Sequence, residues 1–275
     1  MPNVSEGRDR VVLDALSLAC GDALLDRHVD ADHHRSVFTL AGPDTTEAVR
    51  SLARAVAERV DVSVHTGVHP RLGALDVVPF VALGGSAPDD AVGAAREFAA
   101  WMADELHTPV FLYDRADPLA RTLPDARRDA FVSRAPDLGP SRPHPTLGAL
   151  AVGARDPLVA VNCELERDDL ALARVIATRV RERDGGLPGV RALGLRLASS
   201  GVVQVSMNLV ALARTGVQDA CRAVDVLARD AGSAVARVEL VGLLPAAELA
   251  RCDDEFRSWS GIGPDATIEG QLARR

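Results

Sequence analysis

Residues 157–163 read PLVAVNC and residues 235–241 read VARVELV, and the stretch they enclose decides the fold. Both runs are short and apolar, which predicts strands. Between them, residues 166–183 place Leu170, Leu172, Val175, Ile176 and Val180 at helical spacing and stop at Gly185-Gly186. Residues 190–198 and 202–210 are rich in β-formers and are split by Ser199-Ser200-Gly201, a hairpin signal. Residues 215–231 form a second amphipathic helix that ends before Gly232. The order is β-α-β-β-α-β, the split unit of ferredoxin-like folds. It predicts a four-stranded antiparallel sheet with both helices on one face.

Upstream the same order is present but incomplete. Residues 9–20 read as a helix with Val11, Val12, Leu16 and Leu18 among its apolar positions, and residues 23–29 and 35–42 read as strands. Asp44, with Glu47 three residues on, reads as a capping box for a helix that runs to Val60. Residues 62–64 read as a short strand, 75–83 as a strand, 88–106 as a helix and 109–113 as a strand. Only a leading strand is missing, and Met1 stands where that strand should be ending. The N-terminal subdomain is therefore expected to lack its first strand or to fill its place from elsewhere, as it would if the start codon were assigned too late. Such a gap exposes neighbouring backbone edges. Residues 115–154 are rich in Pro, Gly, Arg and Ser and read as a crossover. Loops this long are functional or disordered. The chain thus divides into an N-terminal subdomain at 1–154, crossover included, and a ferredoxin-like subdomain at 155–275. The fold class is α+β, two tandem βαββαβ-type subdomains with a ligand cleft between them.

Composition narrows the function. The chain has 275 residues, 47% hydrophobic and 25% charged, enough to bury a core. With a net charge of −8 and scattered arginines it is not expected to bind nucleic acid. No apolar run reaches the ~20 residues of a membrane span, and the first residues do not read as a signal peptide, so a cytoplasmic protein is expected. There is no lysine. That excludes Schiff-base lysine chemistry and an ordinary P-loop. Cys20, Cys163, Cys221 and Cys252 form no C-x-x-C pair and read as buried free thiols.

Residues 65–76, HTGVHPRLGALD, carry the densest functional signal. His65 and His69 at i, i+4 would suit zinc on a helix, but Gly67 and Pro70 break a helix and no Glu lies between them, so no metal is expected. A histidine followed by proline sits on rigid, extended backbone, which suits a fixed acid/base group. A turn histidine without chemistry is the alternative. Residues 28–35, HVDADHHR, interleave acids and histidines, either as a ligand-binding loop or as solvated surface. The Gly/Pro-rich segment around Arg142 and His144 could lie along a flat or anionic ligand.

These segments resemble the glutamate formimidoyltransferase family. Pro2-Asn3-Val4-Ser5-Glu6-Gly7 is similar to its P-N-F-S-E-G opening, and residues 69–80 (HPRLGALDVVPF) to its catalytic G-E-H-P-R-x-G-A-x-D-V-x-P-F segment. Asp137-Leu138-Gly139-Pro140-Ser141 and Gly148-Ala149 resemble its folate-binding crossover, and Gly153-Ala154-Arg155 a G-A-R that follows. Residues 203–209 (VQVSMNL) and 239–245 (ELVGLLP) match two segments of its C-terminal half. The resemblance runs over nearly the whole chain, in order. It implies a homodimer without a cyclodeaminase domain, working in one-carbon metabolism and histidine degradation. The implied reaction moves a formimino group from N-formimino-L-glutamate to N5 of tetrahydrofolate, the co-substrate. His69 falls on the catalytic histidine, where it would move a proton between two nitrogens. Gly139, Pro140, Ser141, Arg142, Pro143, His144, Pro145, Thr146, Leu147 and Gly148 would hold folate. Asp32, His34, Arg35 and Arg71 would bind the donor, the arginines as forks for its carboxylates. Val68 replaces the family's usual Glu, Thr66 its Lys and His34 its Asn, and Ala211 stands near a usual Asp. Two alternatives follow from those changes: a paralogue with another donor or acceptor, and a non-catalytic folate-binding protein. The retained His69 speaks against the second.

Overall fold

In β7 (Val159–Leu165) Val159, Val161, Cys163 and Leu165 are buried while Ala160 and Glu164 between them are partly covered; Asn162, on the same side as Ala160, is buried but polar and donates to Glu239 Oε2 at 2.9 Å. That period of two is a strand with one face on a core. The computed structural model, which describes residues 1–66 and 71–275, builds a unit of Pro157–Arg275 around it. The elements are β7, α5 (Leu170–Val180), β8 (Val190–Arg196), β9 (Val203–Leu209), α6 (Val217–Asp230) and β10 (Val235–Val241). The sheet order is β10-β7-β9-β8, antiparallel throughout. Ile176 and Val180 of α5 and Val217, Cys221 and Val224 of α6 join the inward strand residues in one cluster. The predicted order, the antiparallel sheet and the shared helical face are all observed. One detail differs. Val175 is exposed, and Ala173 and Ala177 face the core instead. The small residues let α5 lie on β8 so closely that a Cβ on Gly194 would come within 2.4 Å of the Ala173 carbonyl carbon. Three short helices, α7 (Ala246–Ala250), α8 (Asp254–Ser260) and α9 (Ile268–Leu272), follow β10.

The unit Met1–Asp156 repeats the pattern and extends it. It contains β1 (Asn3–Val4), α1 (Arg10–Cys20), β2 (Leu24–Asp30), β3 (Arg35–Leu40), α2 (Thr45–Arg59) and β4 (Leu75–Phe80). Then come α3 (Pro88–Glu105), β5 (Val110–Asp114), α4 (Leu123–Asp129) and β6 (Leu150–Ala154). The sheet order is β2-β3-β1-β4-β6-β5. Its first four members have the arrangement of the other sheet, and β6 and β5 extend it in parallel beyond β4. The place of the leading strand, expected to be vacant, is held by two residues. Asn3 and Val4 pair with Val37 and Ser36 on one side and with Val77 and Leu75 on the other. Two residues carry no periodicity, so no pattern could have marked them.

Residues 62–64, read as a strand, form a 3-10 turn capped by Asp61, which accepts from the Ser63 N–H at 2.8 Å. Nor does the Asp44 side chain cap α2; Glu47 pairs with Arg54 at 2.9 Å instead. Parallel strands are covered on both faces and read as unbroken apolar runs. In β5, Val110 and Leu112 face the cluster built with α1, α2 and α3, while Phe111 and Tyr113 face a second cluster under Ala126 of α4. The crossover therefore includes a helix and a strand.

Candidate functional site

The turn from β2 to β3 folds on its own charges. Asp30 Oδ1 accepts from the His33 N–H at 2.8 Å, and Oδ2 lies 2.5 Å from His33 Nδ1. Burial opposes the Asp30 charge, but the hydrogen bonds from His33 outweigh it and hold the carboxyl below its usual range. The Asp30 hydrogen bond raises the His33 imidazole in turn. Asp32 lies in the same turn. Gly7 rests on this hairpin so closely that a Cβ there would meet Asp30 O at 2.4 Å and Arg35 N at 2.5 Å. Only glycine lets the N-terminal segment run there.

His34 follows with φ +50°. Its Nδ1 accepts the Gly7 N–H at 3.1 Å. Glu6 Oε1 also lies 3.4 Å from that nitrogen, but a nitrogen that accepts a backbone N–H carries no proton to give. Glu6 is satisfied otherwise: Oε1 accepts from the N–H groups of Gly7, Arg8 and Asp9 at 2.8, 2.7 and 3.0 Å. Burial lowers the His34 pKa; Glu6 opposes this, and Arg8 and Arg71 reinforce it. The His34 ring lies on His65 with centroids 4.1 Å apart and planes tilted by 36°. His65 is lowered too, by burial and then by Arg71 and His34. The guanidinium of Arg71 meets the ring nitrogens of His65. The two imidazoles are therefore a neutral pair at pH 7 beside a cation.

Arg35, at the start of β3, donates to Asn3 Oδ1 at 2.5 Å. Burial lowers it to about 10, Asp76 opposes, and Arg127 and Arg71 add repulsion, so it stays charged at neutral pH. Asp76 is 1% exposed. Its Oδ1 accepts from the Leu72 N–H at 2.7 Å and its Oδ2 from Arg127.

The root of the crossover meets the same loop. His144 and Gly148 exchange backbone hydrogen bonds of 2.7 and 2.9 Å. Ala149 N donates to Leu72 O and Ala74 N to Leu147 O, both at 2.9 Å, and Val62 N donates to Thr146 O at 2.9 Å. Gly148 has φ +70°, and a Cβ there would stand 2.4 Å from Leu72 O. Further out, Gly139, Pro140, Ser141, Arg142 and Pro143 are exposed, as are Pro145 and Thr146. Asp137 ties the base of that tip, with Oδ2 accepting from Leu112 N at 2.7 Å and from Arg134 at 2.5 Å.

The structure thus gathers His34, Arg35 and Arg71 and brings His144, Leu147 and Gly148 to the loop that follows Arg71. His69 lies outside the described residues, with Gly67, Val68 and Pro70. His65 and Thr66 precede them and Arg71 follows. Sequence reasoning did not single out Asn3, Glu6, Asp76 or Arg127 as site residues. Asp76 carries a legible signal, a carboxylate inside an apolar strand, which is buried only when paired. Arg127 carries none, since it sits on a helix inside a segment read as loop. Among the described residues, no three His, Cys, Asp or Glu side chains are grouped to hold a metal, and no helix is long and apolar enough to cross a membrane. Cationic arginines beside neutral imidazoles suit an anionic ligand that must exchange a proton.

Comparison with known proteins gives the family. Residues 1–155 match the formiminotransferase domain, N-terminal subdomain, and residues 160–258 match the formiminotransferase domain. A glutamate formimidoyltransferase of Streptococcus pyogenes serotype M1 is 36% identical, covering 90% of this chain and 89% of that protein. One of Thermoplasma acidophilum is 35% identical, covering 100% of this chain and 96% of that protein. A formimidoyltransferase-cyclodeaminase of Sus scrofa is 35% identical over 89% of this chain but only 49% of its own length. With both subdomains matched in order, this chain belongs to the formiminotransferase family of transferases.

Proposed function

We propose that this chain transfers the formimino group of N-formimino-L-glutamate to N5 of tetrahydrofolate, giving 5-formiminotetrahydrofolate and glutamate. The observation that carries the reading is the grouping of Arg35 and Arg71 with the neutral pair His34 and His65, on both chain sides of the His69-Pro70 segment. Arg35 and Arg71 fork the donor's two carboxylates, with Asp32 and His34 at its rim. His69 accepts the proton lost by the attacking nitrogen and returns it to the departing glutamate nitrogen, which is a poor leaving group unless protonated. Residues 139–148 hold tetrahydrofolate. Their exposed tip on an anchored root suits a flat, polar ring system with an anionic tail. The same reading makes the protein a cytoplasmic homodimer in one-carbon metabolism, fed by histidine breakdown, and needs no metal.

The test is steady-state transfer with both substrates, joined to thermal shifts with each alone and both together. Turnover and stabilisation by each substrate are expected. Stabilisation by folate alone, without turnover, would make the protein a folate binder, and no response to formimino-glutamate would point to another donor.

A further inference from the structure

Asp76 is 1% exposed, and a carboxyl buried that deeply needs hydrogen-bond partners. One partner is local. By accepting the Leu72 N–H at 2.7 Å, the carboxylate closes the loop that leads from Arg71 into β4. The other, Arg127, comes from 51 residues further along the chain. Its carrier, α4, is firmly held: Thr122 and Asp125 cap its first turn, and Ala126 is fully buried with Phe111, Tyr113, Ala149 and Ala151. On its other side the loop is pressed against the crossover root, where a Cβ on Gly73 would come within 2.2 Å of Leu147 O and Ala149 O. Leu72 is thus fixed by a carboxylate, and that carboxylate by an arginine on a rigid helix. Arg71 is the next residue back, and its guanidinium rests on His65.

We propose that Arg127 is a positioning residue: through Asp76 it fixes the Leu72 backbone and so holds Arg71 against His65, directly after the His69-Pro70 segment. The functional consequence rests on the reading of the site as a formimino-transfer site. A displacement of about 1 Å at a reacting geometry costs up to ~10²-fold in rate. Because Arg71 is one of the forks for the donor's carboxylates, the loss is read as kcat/KM.

The test compares Arg127→Met, Asp76→Ala, the double variant and Arg127→Lys. The proton titration of His65 is followed by NMR, its signal identified by loss in His65→Gln, and formimino transfer is measured in parallel. His65 is held down by burial, Arg71 and His34, and Glu6 opposes them. Release of Arg71 therefore raises its midpoint. The two single variants and the double should raise the midpoint equally and lower kcat/KM by a common factor of about 10–100, because residues that act as a unit are not additive. Arg127→Lys, which keeps a cation, should return part of both. A folded single variant with the wild-type His65 midpoint overturns the proposal. So does an additive loss of kcat/KM. Should a single variant fail to fold, the double leaves neither member of the Arg127–Asp76 pair without its partner, and it decides together with Arg127→Lys. A wild-type midpoint in both overturns the proposal. If the wild-type protein transfers no formimino group, the functional reading falls, while the His65 midpoints still decide the positioning.

Discussion

Gly148→Ala should detach the crossover root from the loop after Arg71, and its cost can be worked out. The residue has φ +70°, where an L-residue costs ~1–2 kcal/mol. Its new Cβ would stand 2.4 Å from Leu72 O, whereas ordinary contact begins at 3.4 Å, so the two backbones must part by about 1 Å. That stretches two hydrogen bonds, Ala149 N to Leu72 O and Ala74 N to Leu147 O, each now 2.9 Å, beyond useful length. Each is worth ~0.5–1.5 kcal/mol. Alanine returns ~0.4–1 kcal/mol by restricting the unfolded chain. The net loss is about 1–5 kcal/mol, a large share of the ~5–15 kcal/mol of a typical domain. Gly201→Ala is the control, with φ +72° but nothing within 4 Å of its Cβ. Urea unfolding of both variants gives the comparison, provided the m-value is unchanged. Tetrahydrofolate affinity, by calorimetry, should fall in Gly148→Ala alone. Equal stability of the two variants would refute the argument that the close approach matters.

Other expectations follow from particular contacts. Asp30 is held below its ordinary 3.8, so its contribution is present above that pH and is lost as pH falls through its folded value. His33 is raised above its ordinary 6.5, so its contribution is complete below 6.5 and is lost as pH rises through its folded value. The stability difference between wild type and His33→Gln, measured by chemical unfolding, should therefore be greatest between those two values and shrink on either side. All four cysteines are buried, and burial pushes the Cys20 thiol up to about 12. Native protein should resist a thiol reagent at pH 8, with four thiols titrating only in denaturant. Ile176→Ala, in the core of the second unit, should cost ~2–5 kcal/mol in the same unfolding assay.

The second sheet is legible in the sequence because its strands keep one face on a core and so alternate, while its helices keep a stripe. The first is less so. Its leading strand is two residues long, and β6 follows a helix inside a segment whose Pro and Gly content reads as loop. Val175 misled for another reason: small alanines, not the largest side chains, mark where α5 comes closest to the sheet. At the site, His34, Arg35 and Arg71 were legible as motif residues. What joins them was not. The contact of Gly7 with the β2–β3 turn, the stacking of His34 on His65 and the reach of Arg127 to Asp76 all link segments that no local pattern connects.

Turnover of His69→Ala decides whether His69 carries the proton. A general acid/base contributes ~10²–10⁴-fold to rate. Formimino transfer by the variant should fall by about that factor, while its affinity for tetrahydrofolate stays near wild type. Wild-type turnover in His69→Ala would mean that another group moves the proton.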